Sequence, residues 1–538
     1  MSDAFDGVII GAGPNGLVAA NVLADHGWSV VVLEAEETPG GGVRSAETLD
    51  PGFVVDLFSA FYPMTIVSPS FQRLDLGSHG LEWSHAPDVL AHPTLDGPAV
   101  IVSRDIERTA RSLDQFRRGD GAAWQELYGE FARIEEPLIA AIMGPFPPVR
   151  AGARLAGHLG VRGLGQFART ALLPVRRLAE ERFGGAGGGL LLAGNALHTD
   201  LAPEAAASAF FGLLLAAIAQ GHGWPVPRGG AQGLTDALVR RLESKGGVVR
   251  CSSRVAHVVE RGGRAVGVVV GGAATVEANR AVIADVVAPS LYRDLLDQRI
   301  VPAPVRGDID RYQRAAATFK VNWALDRPAP WTDPQVTSAG TVHLAASLDE
   351  LTMTMAQTAC GMLPSHPFML IGQMTTADAT RSPAGTESMW AYTSLPQEVK
   401  GDAGGEGIEG RWADRASGDG ERFADRMEAR IEEFAPGFQS HIRSRQIQSP
   451  HDLEAADANL LGGDKNLGTA HLHQQLIFRP TIGLSRPETF LDGLYLGSAS
   501  AHPGGGVHGA CGANAAQAAL LHDRMRRVSS TLRRAVRR

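Results

Sequence analysis

The sequence predicts an α/β protein with more than one domain, one of which is a Rossmann-type domain that binds a dinucleotide. Three observations carry this prediction. The chain has 538 residues, which is more than a single hydrophobic core usually organises. Residues 7–36 read as a buried strand, a glycine turn, an alanine-rich helix and a second buried strand. Another strand, glycine-rich loop and helix follow at residues 491–525.

The first glycine motif has GxGxxG spacing at Gly11, Gly13 and Gly16. Gly11 permits a tight turn, Gly13 lets the backbone approach a pyrophosphate, and Gly16 lets the helix pack closely on the strand. The helix N-terminus then directs unpaired amides at the phosphates. Glu34 ends the second strand and suits hydrogen bonding to the ribose of adenosine. Because this carboxylate repels a 2′-phosphate, the expected ligand is FAD or NAD.

The residues after this motif favour FAD. The turn at residues 40–42 and Arg44 directly follow the ribose-binding strand, where many FAD enzymes run glycine backbone past the pyrophosphate. Residues 504–509 repeat the GxGxxG spacing, but residues 500–503 separate them from the preceding strand and break the Rossmann geometry. Such a loop before a helix can instead direct amides and a positive dipole at the pyrimidine edge of a flavin.

Three separated segments are expected to build the FAD-binding domain: residues 1–75, 228–295 and 480–538. The middle segment contains a helix ended by glycine, a β-hairpin turned at Gly262 and Gly263, and a strand that returns to the sheet. The insertions, residues 76–227 and 296–479, would form a mixed-sheet plus helical substrate domain. The prediction is therefore the two-domain flavoprotein oxidoreductase class, with a Rossmann-type FAD-binding domain.

The composition excludes several other classes of protein. A net charge of −8 lacks the basic field that phosphate binding needs, so no nucleic-acid partner is expected. Cys251, Cys360 and Cys511 form no CxxC or CxxxxC pair, which argues against a disulfide framework or a dithiol redox centre. The first strand starts close to Met1 and no apolar run reaches about 18 residues, so neither a secretory signal nor a membrane span is expected. The most apolar run, residues 205–224, predicts a buried helix.

Seven blocks, spread over most of the chain, carry a family resemblance. They read GVIIGAGPNGLVAANVLADHGWSVVVLEAE, LAEERFGG, WPVPRGGAQGLTDALVRRLESKGG, FKVNWALD, GTVHLAASLDEL, SPHDLEAADANLLGGD and GLYLGSASAHPGGGVHGACGANAA. They resemble the family of phytoene desaturases, carotenoid ketolases and retinol saturases, and within it the branch named for a pyridine nucleotide-disulphide oxidoreductase domain. The last block is the most specific one, whereas the first identifies only the superfamily.

The resemblance implies FAD contacts in all three segments of the predicted domain. Val255 would meet the adenine end through its backbone, and the C-terminal residues would flank the ribitol and the ring. The implied contacts are Gly11, Gly13, Gly16, Glu34, Gly41, Gly42, Arg44, Val255, Gly497, Ser498, Gly505, Gly506 and Val507. Disulphide reduction would need a CxxxxC pair and a second dinucleotide fold, and the sequence has neither. Electrons are therefore expected to pass to oxygen, a quinone or another diffusible acceptor.

Three functions fit these observations. The first is an FAD-dependent, phytoene dehydrogenase-like desaturase, which removes a hydride from a CH–CH unit of an apolar, isoprenoid or polyketide-like substrate. The second is a flavin amine or amino-acid oxidase, which is less favoured because aromatic residues make up only 6% of the chain. The third is an FAD-containing interaction protein without turnover.

Catalytic side chains are predicted from position. His502 and His508 lie in the loop expected to cover the flavin, where His502 could orient substrate or protonate the reduced ring. His343, Asp378 and Trp390 come from the substrate insertion. For each histidine the competing role is hydrogen bonding within its own loop or strand.

Neither a metal site nor a fixed oligomeric state is predicted. His471 and His473 have i, i+2 spacing without a third ligand nearby, which indicates a strand face. Arginines interleave with leucines in residues 149–182, and the tail places Met525, Val528 and Leu532 at helical spacing beside arginines that include Arg533 and Arg534. These stretches are either solvated helix faces or membrane-surface contacts. The expectation is a cytoplasmic protein, with peripheral contact to the inner membrane face as the alternative.

Overall fold

The computed structural model describes residues 3–272, 274–483 and 486–536, with side chains described as far as residue 529. The chain forms two seven-stranded sheets and a set of covering helices. In the basic tail, whose alternatives were a solvated face and a membrane contact, the side chains of Leu532, Arg533 and Arg534 lie outside the described residues.

The first sheet is built from three distant parts of the chain. Its central strand, Asp3–Ile10, pairs in parallel with Val30–Leu33 on one side and with Ala274–Ala284 on the other. This parallel arrangement around a strand–turn–helix unit confirms the Rossmann-type fold class. In spatial order the strands are Val255–Arg261, Arg264–Val270, Ala274–Ala284, Asp3–Ile10, Val30–Leu33 and Val248–Arg250, with Leu494–Leu496 also paired to Ala274–Ala284.

Three helices cover one face of this sheet. They share one buried cluster with the sheet, to which Ile9, Leu17, Leu238 and Ala515 belong. The helices are Pro14–Asp25, Gln232–Ser244 and Ala510–Val536. The first of them ends at Asp25, and Gly27 follows with a φ of 74°. A second cluster on the opposite face includes Val8, Val31 and Leu291.

The second sheet is antiparallel except for one parallel pair among the described strands, Ala339–Leu344 with Asp88–His92. In spatial order its strands are Ile442–Gln448, Ala317–Leu325, Glu387–Leu395, Met369–Gln373, Ala339–Leu344, Asp88–His92 and Val100–Val102. The central strands are buried on both faces, so this sheet lies in the interior of the molecule.

Helices from both insertions surround the second sheet. They are Ile106–Asp114, Asp120–Ala132, Glu135–Met143, Val149–Leu172, Val175–Arg182, Ala186–Ala196, Ser208–His222, Leu348–Ala359 and Asp419–Phe434. The apolar run at residues 205–224 forms the largely buried helix Ser208–His222, as predicted. Within the described part of the chain, the helices are all too short or too polar to span a bilayer.

The remaining elements are short. The short helices are Pro63–Ile66, Pro69–Gln72, Leu76–His79, Ser290–Leu295, Ala303–Asp310, Pro334–Ser338, Met374–Ala377, Arg415–Ser417, Phe438–His441, Pro450–Ala456, Leu461–Gly463, Leu472–Gln474 and Leu476–Phe478. The two-residue strands pair as Ser45–Ala46 with Val55–Asp56, Trp83–Ser84 with Val226–Pro227, and Met362–Leu363 with Gly401–Asp402.

The strand face predicted at His471 and His473 is wrong. This segment forms the 3₁₀ turn Leu472–Gln474. A single i, i+2 pair cannot distinguish a strand from a tight turn, because no longer alternation supports it. His473 Nε2 instead lies 2.9 Å from Oε1 of Gln313, which ties the turn to a neighbouring loop.

Candidate active site

The first glycine turn lies at the centre of the first sheet. Gly11 adopts a φ of 93°, and a Cβ on Gly16 would lie 2.2 Å from the carbonyl oxygen of Gly11. A Cβ on Gly13 would lie 2.7 Å from Oδ2 of Asp285. These positions therefore admit backbone only, as the GxGxxG spacing predicts.

Glu34 is buried at the carboxyl end of the second strand and faces this turn. Its Oε2 accepts a hydrogen bond from the backbone N–H of Ala12 at 2.7 Å. The backbone N–H of Ser253 donates to the Glu34 carbonyl at 2.7 Å, so nearby Val255 lies at the same edge of the sheet. The arrangement fits the predicted adenosine-binding roles of Glu34 and Val255, which stay predictions.

The second glycine turn packs directly on the first. The N–H of Gly40 donates to the Ala12 carbonyl at 3.0 Å, and a Cβ on Gly41 would lie 3.2 Å from the Cα of Gly13. Gly41 and Gly42 both line a large cavity.

Arg44 braces this second turn. Its guanidinium donates to the carbonyl oxygens of Gly41, at 3.0 Å, and Ala456, at 2.7 Å. It also lies over the ring of Phe58, 5.2 Å from the centroid. These partners occupy much of the hydrogen-bonding capacity of the side chain, and a direct contact of Arg44 with FAD stays a prediction.

A buried carboxylate, Asp285, and a half-buried one, Asp457, lie beside the turns and were missed by the sequence reasoning. Oδ2 of Asp285 accepts from the N–H of Gly16 at 2.8 Å, and burial raises the pKa of Asp285 to about 7. Burial also raises the pKa of Asp457 to about 6. One feature of the sequence could have identified Asp285 as a site residue: it directly follows the strand that returns to the sheet.

The C-terminal glycine loop closes the same region. The N–H of Gly497 donates to the Ala284 carbonyl at 2.8 Å, and Ser498 is fully buried. Gly505, Gly506 and Val507 line the cavity, as expected for a loop that lies against a ligand.

His508 anchors this loop. Its Nδ1 accepts from the N–H of Ala510 at 3.1 Å, which leaves Nε2–H to donate to the Gly504 carbonyl at 3.1 Å. Burial lowers the pKa of His508 to about 4. With both ring nitrogens bonded to backbone, the geometry supports the loop-bonding role and argues against proton transfer by His508.

His502 differs from His508 because it lines the cavity and its Nε2 has no partner among the described residues. Burial lowers the pKa of His502 to about 4, so the ring is neutral at pH 7. The Phe146 ring packs against it at 5.5 Å between centroids. His502 therefore stays the C-terminal candidate for contact with substrate.

The candidates from the substrate insertion have different surroundings. His343 is fully buried and lies 2.9 Å from ring nitrogens of both His92 and His198, so it can affect the cavity only through a neighbour. Asp378 accepts from the N–H of Gly229 at 2.7 Å and binds Thr380, which indicates a structural role. Over residues 3–272, 274–483 and 486–536, no group of three or more histidine, cysteine or acidic side chains is arranged to hold a metal ion.

The cavity has a volume of about 690 Å³ and lies between the glycine turns and the second sheet. Trp390 lines it, together with many aliphatic and aromatic side chains. Lys320 and Lys465 also line it, and the sequence reasoning singled out neither of them. Burial lowers the pKa of Lys320 to about 7 and lowers that of Lys465 as well. A lysine inside the apolar strand TFKVNWALD was the signal that could have identified Lys320.

These residues fit a bound dinucleotide. The glycine turns present walls that any Cβ would fill, at Gly13 and Gly41 in particular. Oδ1 of Asn15, in the first turn of the helix, belongs to the lining and is buried without a partner in the described part of the chain. This amide oxygen can accept from a hydroxyl of the cofactor, whereas the unpaired backbone N–H groups of a helix N-terminus are suited to phosphate oxygens.

The comparisons with known sequences agree with this geometry. The model of the family described as flavin containing amine oxidoreductase matches residues 15–356. The chain is 28% identical to pyridine nucleotide-disulfide oxidoreductase domain-containing protein 2 of Rattus norvegicus, over 95% of this chain and 92% of that protein. It is 25% identical to one of the subunits of limonene dehydrogenase from Castellaniella defragrans (95% and 94% covered). It is 24% identical to the lycopene-forming phytoene desaturase of Paracoccus sp. (96% of each).

Solved structures with the same fold include two that cover nearly the whole chain. An oxidoreductase from Methanosarcina mazei matches with a TM-score of 0.62 and 14% identity, over 96% of this chain and 99% of that chain. A redesigned putrescine oxidase matches with a TM-score of 0.60 and 16% identity, over 97% and 99%. At these identities the likeness concerns the fold alone.

Proposed function

The chain belongs to the family of flavin-containing amine oxidoreductases, and from this premise we propose that it is a dehydrogenase that forms a C=C bond in an apolar, isoprenoid-like substrate. It is a flavin-dependent oxidoreductase and its cofactor is FAD, as the sequence predicted. The family resemblance read from the sequence is likewise confirmed.

In this proposal the three chain segments hold different parts of FAD. Glu34 and Val255 take the adenosine end, and the two glycine turns take the pyrophosphate. Residues 505–507 lie against the ring. Bound FAD supplies the acceptor for a hydride equivalent.

The observation that carries the proposal is which charged side chains line the cavity and where they lie. A cationic amine would meet Lys320 and Lys465, whereas the lining carboxylates, Asp285 and Asp457, lie against the glycine turns. A buried cation without a carboxylate partner is strongly disfavoured, which argues against the amine oxidase alternative. The relatives named for limonene and phytoene point to hydrocarbon substrates of the isoprenoid class.

Forming a C=C bond also requires loss of a proton, because a hydride leaves from one carbon and a proton from the other. Lys320 is suited to accept it, since burial lowers its pKa to about 7. Its Nζ donates to the Asp56 carbonyl and lies 5.8 Å from the Trp390 ring centroid. The amine is thus held at a fixed place on the cavity wall.

The electron acceptor is proposed to be oxygen or a quinone. The described strands form one parallel Rossmann-type unit, whereas the second sheet is antiparallel with a single parallel pair. This arrangement supports one dinucleotide site, so a diffusible acceptor has to collect the electrons.

We also propose that the cavity mouth contacts a membrane surface. Leu172 and Leu476 line the cavity and are 58% and 52% exposed. Val161, on the arginine-bearing helix Val149–Leu172, is 94% exposed. Apolar side chains at the entrance, flanked by arginines, suit transfer of a water-insoluble substrate from an anionic lipid surface.

The test is anaerobic mixing of the yellow holoprotein with isoprenoid hydrocarbons, including limonene and phytoene, or with a panel of amines. Bleaching of the flavin absorbance by a hydrocarbon, with one new double bond in the product, is expected. Bleaching by amines alone would move the protein to the oxidase class. Binding of a hydrocarbon without bleaching would favour an FAD-containing binding protein.

A lysine variant tests the proton acceptor. Lys320→Met should slow flavin reduction at least about 100-fold, since general base catalysis commonly contributes that much. Lys400→Met, at an exposed position, is the control and should leave the rate unchanged. An unchanged rate in Lys320→Met, with FAD retained, would contradict the role of Lys320.

A further inference from the structure

One cross-strand row of the second sheet connects Lys320 to a group of histidines. The strand registers place Lys320 beside Tyr392, Tyr392 beside Leu370, and Leu370 beside His343. On the next strand Ala91 pairs with Val342, and the following residues, His92 and His343, are in hydrogen-bonding contact. Three strand spacings of about 4.8 Å put His343 about 14 Å from Lys320 along the sheet.

The histidines form a hydrogen-bonded chain that ends at the cavity. Nε2 of His92 lies 2.9 Å from Nδ1 of His343, and Nε2 of His343 lies 2.9 Å from Nε2 of His198. His198 lines the cavity, whereas His343 and His92 are fully buried behind it. Burial lowers the pKa of His92 and of His198 to about 3 each, so the rings are neutral at pH 7.

The chain fixes the proton on His198. Each neutral ring has one N–H and one acceptor nitrogen, and each hydrogen bond contains one proton. Both hydrogen bonds must therefore point in the same direction along the chain. Donation toward His92 would place an N–H on Nδ1 of His92, which is buried with no partner among the residues described. Orphaned buried N–H groups are rare in proteins. Donation toward His198 is therefore favoured, and it leaves His198 with a proton on Nδ1.

Trp224 supplies a second donor at the same place. It is 3% exposed and lines the cavity, and its Nε1–H has no partner within the part of the chain that the structure describes. Its ring packs edge-on against His198, with centroids 5.0 Å apart. A buried indole N–H normally has an acceptor, so the Trp224 N–H is left without the partner that it needs.

We propose that His198 and Trp224 bind a carbonyl oxygen of the substrate, with His343 and His92 as positioning residues. Two neutral donors at one place match the two lone pairs of an sp² oxygen. The substrate is then an elongated apolar aldehyde or ketone, with its oxygen at the histidine end of the cavity and its reacting carbons toward Lys320. This inference rests on the proposed function for the apolar remainder of the ligand.

The test compares ligands of one skeleton: farnesal, farnesol and farnesene. Binding to the oxidised holoprotein is measured under anaerobic conditions, through perturbation of the flavin absorbance. Farnesal should bind at least about tenfold more tightly than farnesene, since two neutral hydrogen bonds are gained. Farnesol should fall between them.

Variants then identify which side chains cause the preference for farnesal over farnesene. Trp224→Phe and His198→Phe should each reduce the farnesal-to-farnesene affinity ratio about five- to tenfold. Trp331→Phe is the matched control, because Trp331 donates to Gln373 in the core, and it should keep the wild-type ratio.

Two outcomes would overturn the oxygen site: farnesal binding no tighter than farnesene, or a ratio that survives both phenylalanine variants. The proposed function fails on a different readout, namely absence of flavin bleaching. An oxygen preference without bleaching would thus support the site while removing the desaturase proposal.

Discussion

Asp285 places a carboxylate directly against the glycine turn that is proposed to hold the pyrophosphate. Its Oδ2 accepts from Gly16, and burial, Asp457 and Glu34 together raise the pKa of Asp285 to about 7. Near neutral pH the group is therefore partly protonated. A bound diphosphate would disfavour the ionised form further, because like charges at short range repel.

We predict that Asp285→Asn stabilises the FAD-depleted protein at pH 8 but not at pH 4. The unfolded carboxyl ionises near pH 4 and the folded one only near pH 7. Wild-type stability is therefore lost as pH rises through this window. Asparagine keeps an acceptor for Gly16 without this loss, so Tm at pH 8 should rise by about 2 °C or more.

FAD titration of the same variant gives a second measurement. Asp285→Asn should bind FAD more tightly than wild type at pH 8, since the diphosphate no longer faces a carboxylate. The exposed control, Asp96→Asn, should match wild type in both assays. Equal Tm values for wild type and Asp285→Asn at pH 8 would show that the buried charge of Asp285 does not destabilise the folded protein.

At this scale, the sequence predicted backbone geometry where neighbours in sequence are neighbours in space. The tight turn at Gly11, Gly13 and Gly16 was recognised because one short stretch contains all three, and their contact with FAD stays a prediction. Asp285 and Gly16 are 269 positions apart, and no local pattern links them. The histidine chain was missed for the same reason, since its members come from two strands and the end of a helix.

At the scale of elements, the first and last of the three helices that cover the first sheet are packed unusually closely. A Cβ on Gly512 would lie only 1.8 Å from the carbonyl oxygen of Asn15. The helices Pro14–Asp25 and Ala510–Val536 therefore touch through backbone atoms close to the N-terminus of each. The sequence predicted both helices from their alanine-rich patterns, but it gave no sign that they touch.

We predict that Gly512→Ala lowers stability and FAD retention together. The added methyl group forces the two helix N-termini apart, and overpacking of this kind costs about 1–3 kcal/mol. Thermal unfolding and flavin release measured in one experiment would test this. Gly129→Ala is the matched control, since it lies inside a helix with open space around its Cα. It should be neutral or stabilising by up to about 1 kcal/mol.

The helix Val149–Leu172 and the turn around Leu476 are the elements proposed to meet a membrane. We predict that the holoprotein binds vesicles of phosphatidylglycerol more strongly than vesicles of phosphatidylcholine, and less strongly at high salt. Val161→Asp with Leu476→Asp should abolish co-sedimentation. Met353→Asp, at a site 59% exposed on another helix, should not. Equal sedimentation of all three proteins would contradict membrane contact through the cavity mouth.

At the scale of the whole molecule, the cavity is formed by segments that lie far apart in the sequence, so no local sequence pattern could predict it. Its lining begins at Gly13 and ends at His508, and it draws on strands of the second sheet and on turns that follow strands of the first sheet. The fold class could be predicted because the βαβ unit and the family blocks are each contiguous. The charge of the lining could not, because Lys320 and Lys465 come from separate elements that meet only in the folded protein.

That charge leads to a prediction about geranic acid and geranylamine, which share one apolar skeleton and differ in the sign of their charge. At pH 7 the carboxylate of the acid is attracted by Lys320 and Lys465. The ammonium group of the amine loses its hydration in the cavity and finds no carboxylate partner in the part of the cavity that would hold substrate. Displacement of farnesal from the holoprotein should therefore need at least about tenfold less acid than amine. Lys465→Met should reduce this preference, and Lys400→Met should preserve it. A preference for geranylamine would instead mean that the cavity accepts cations, and the amine oxidase alternative would regain its place.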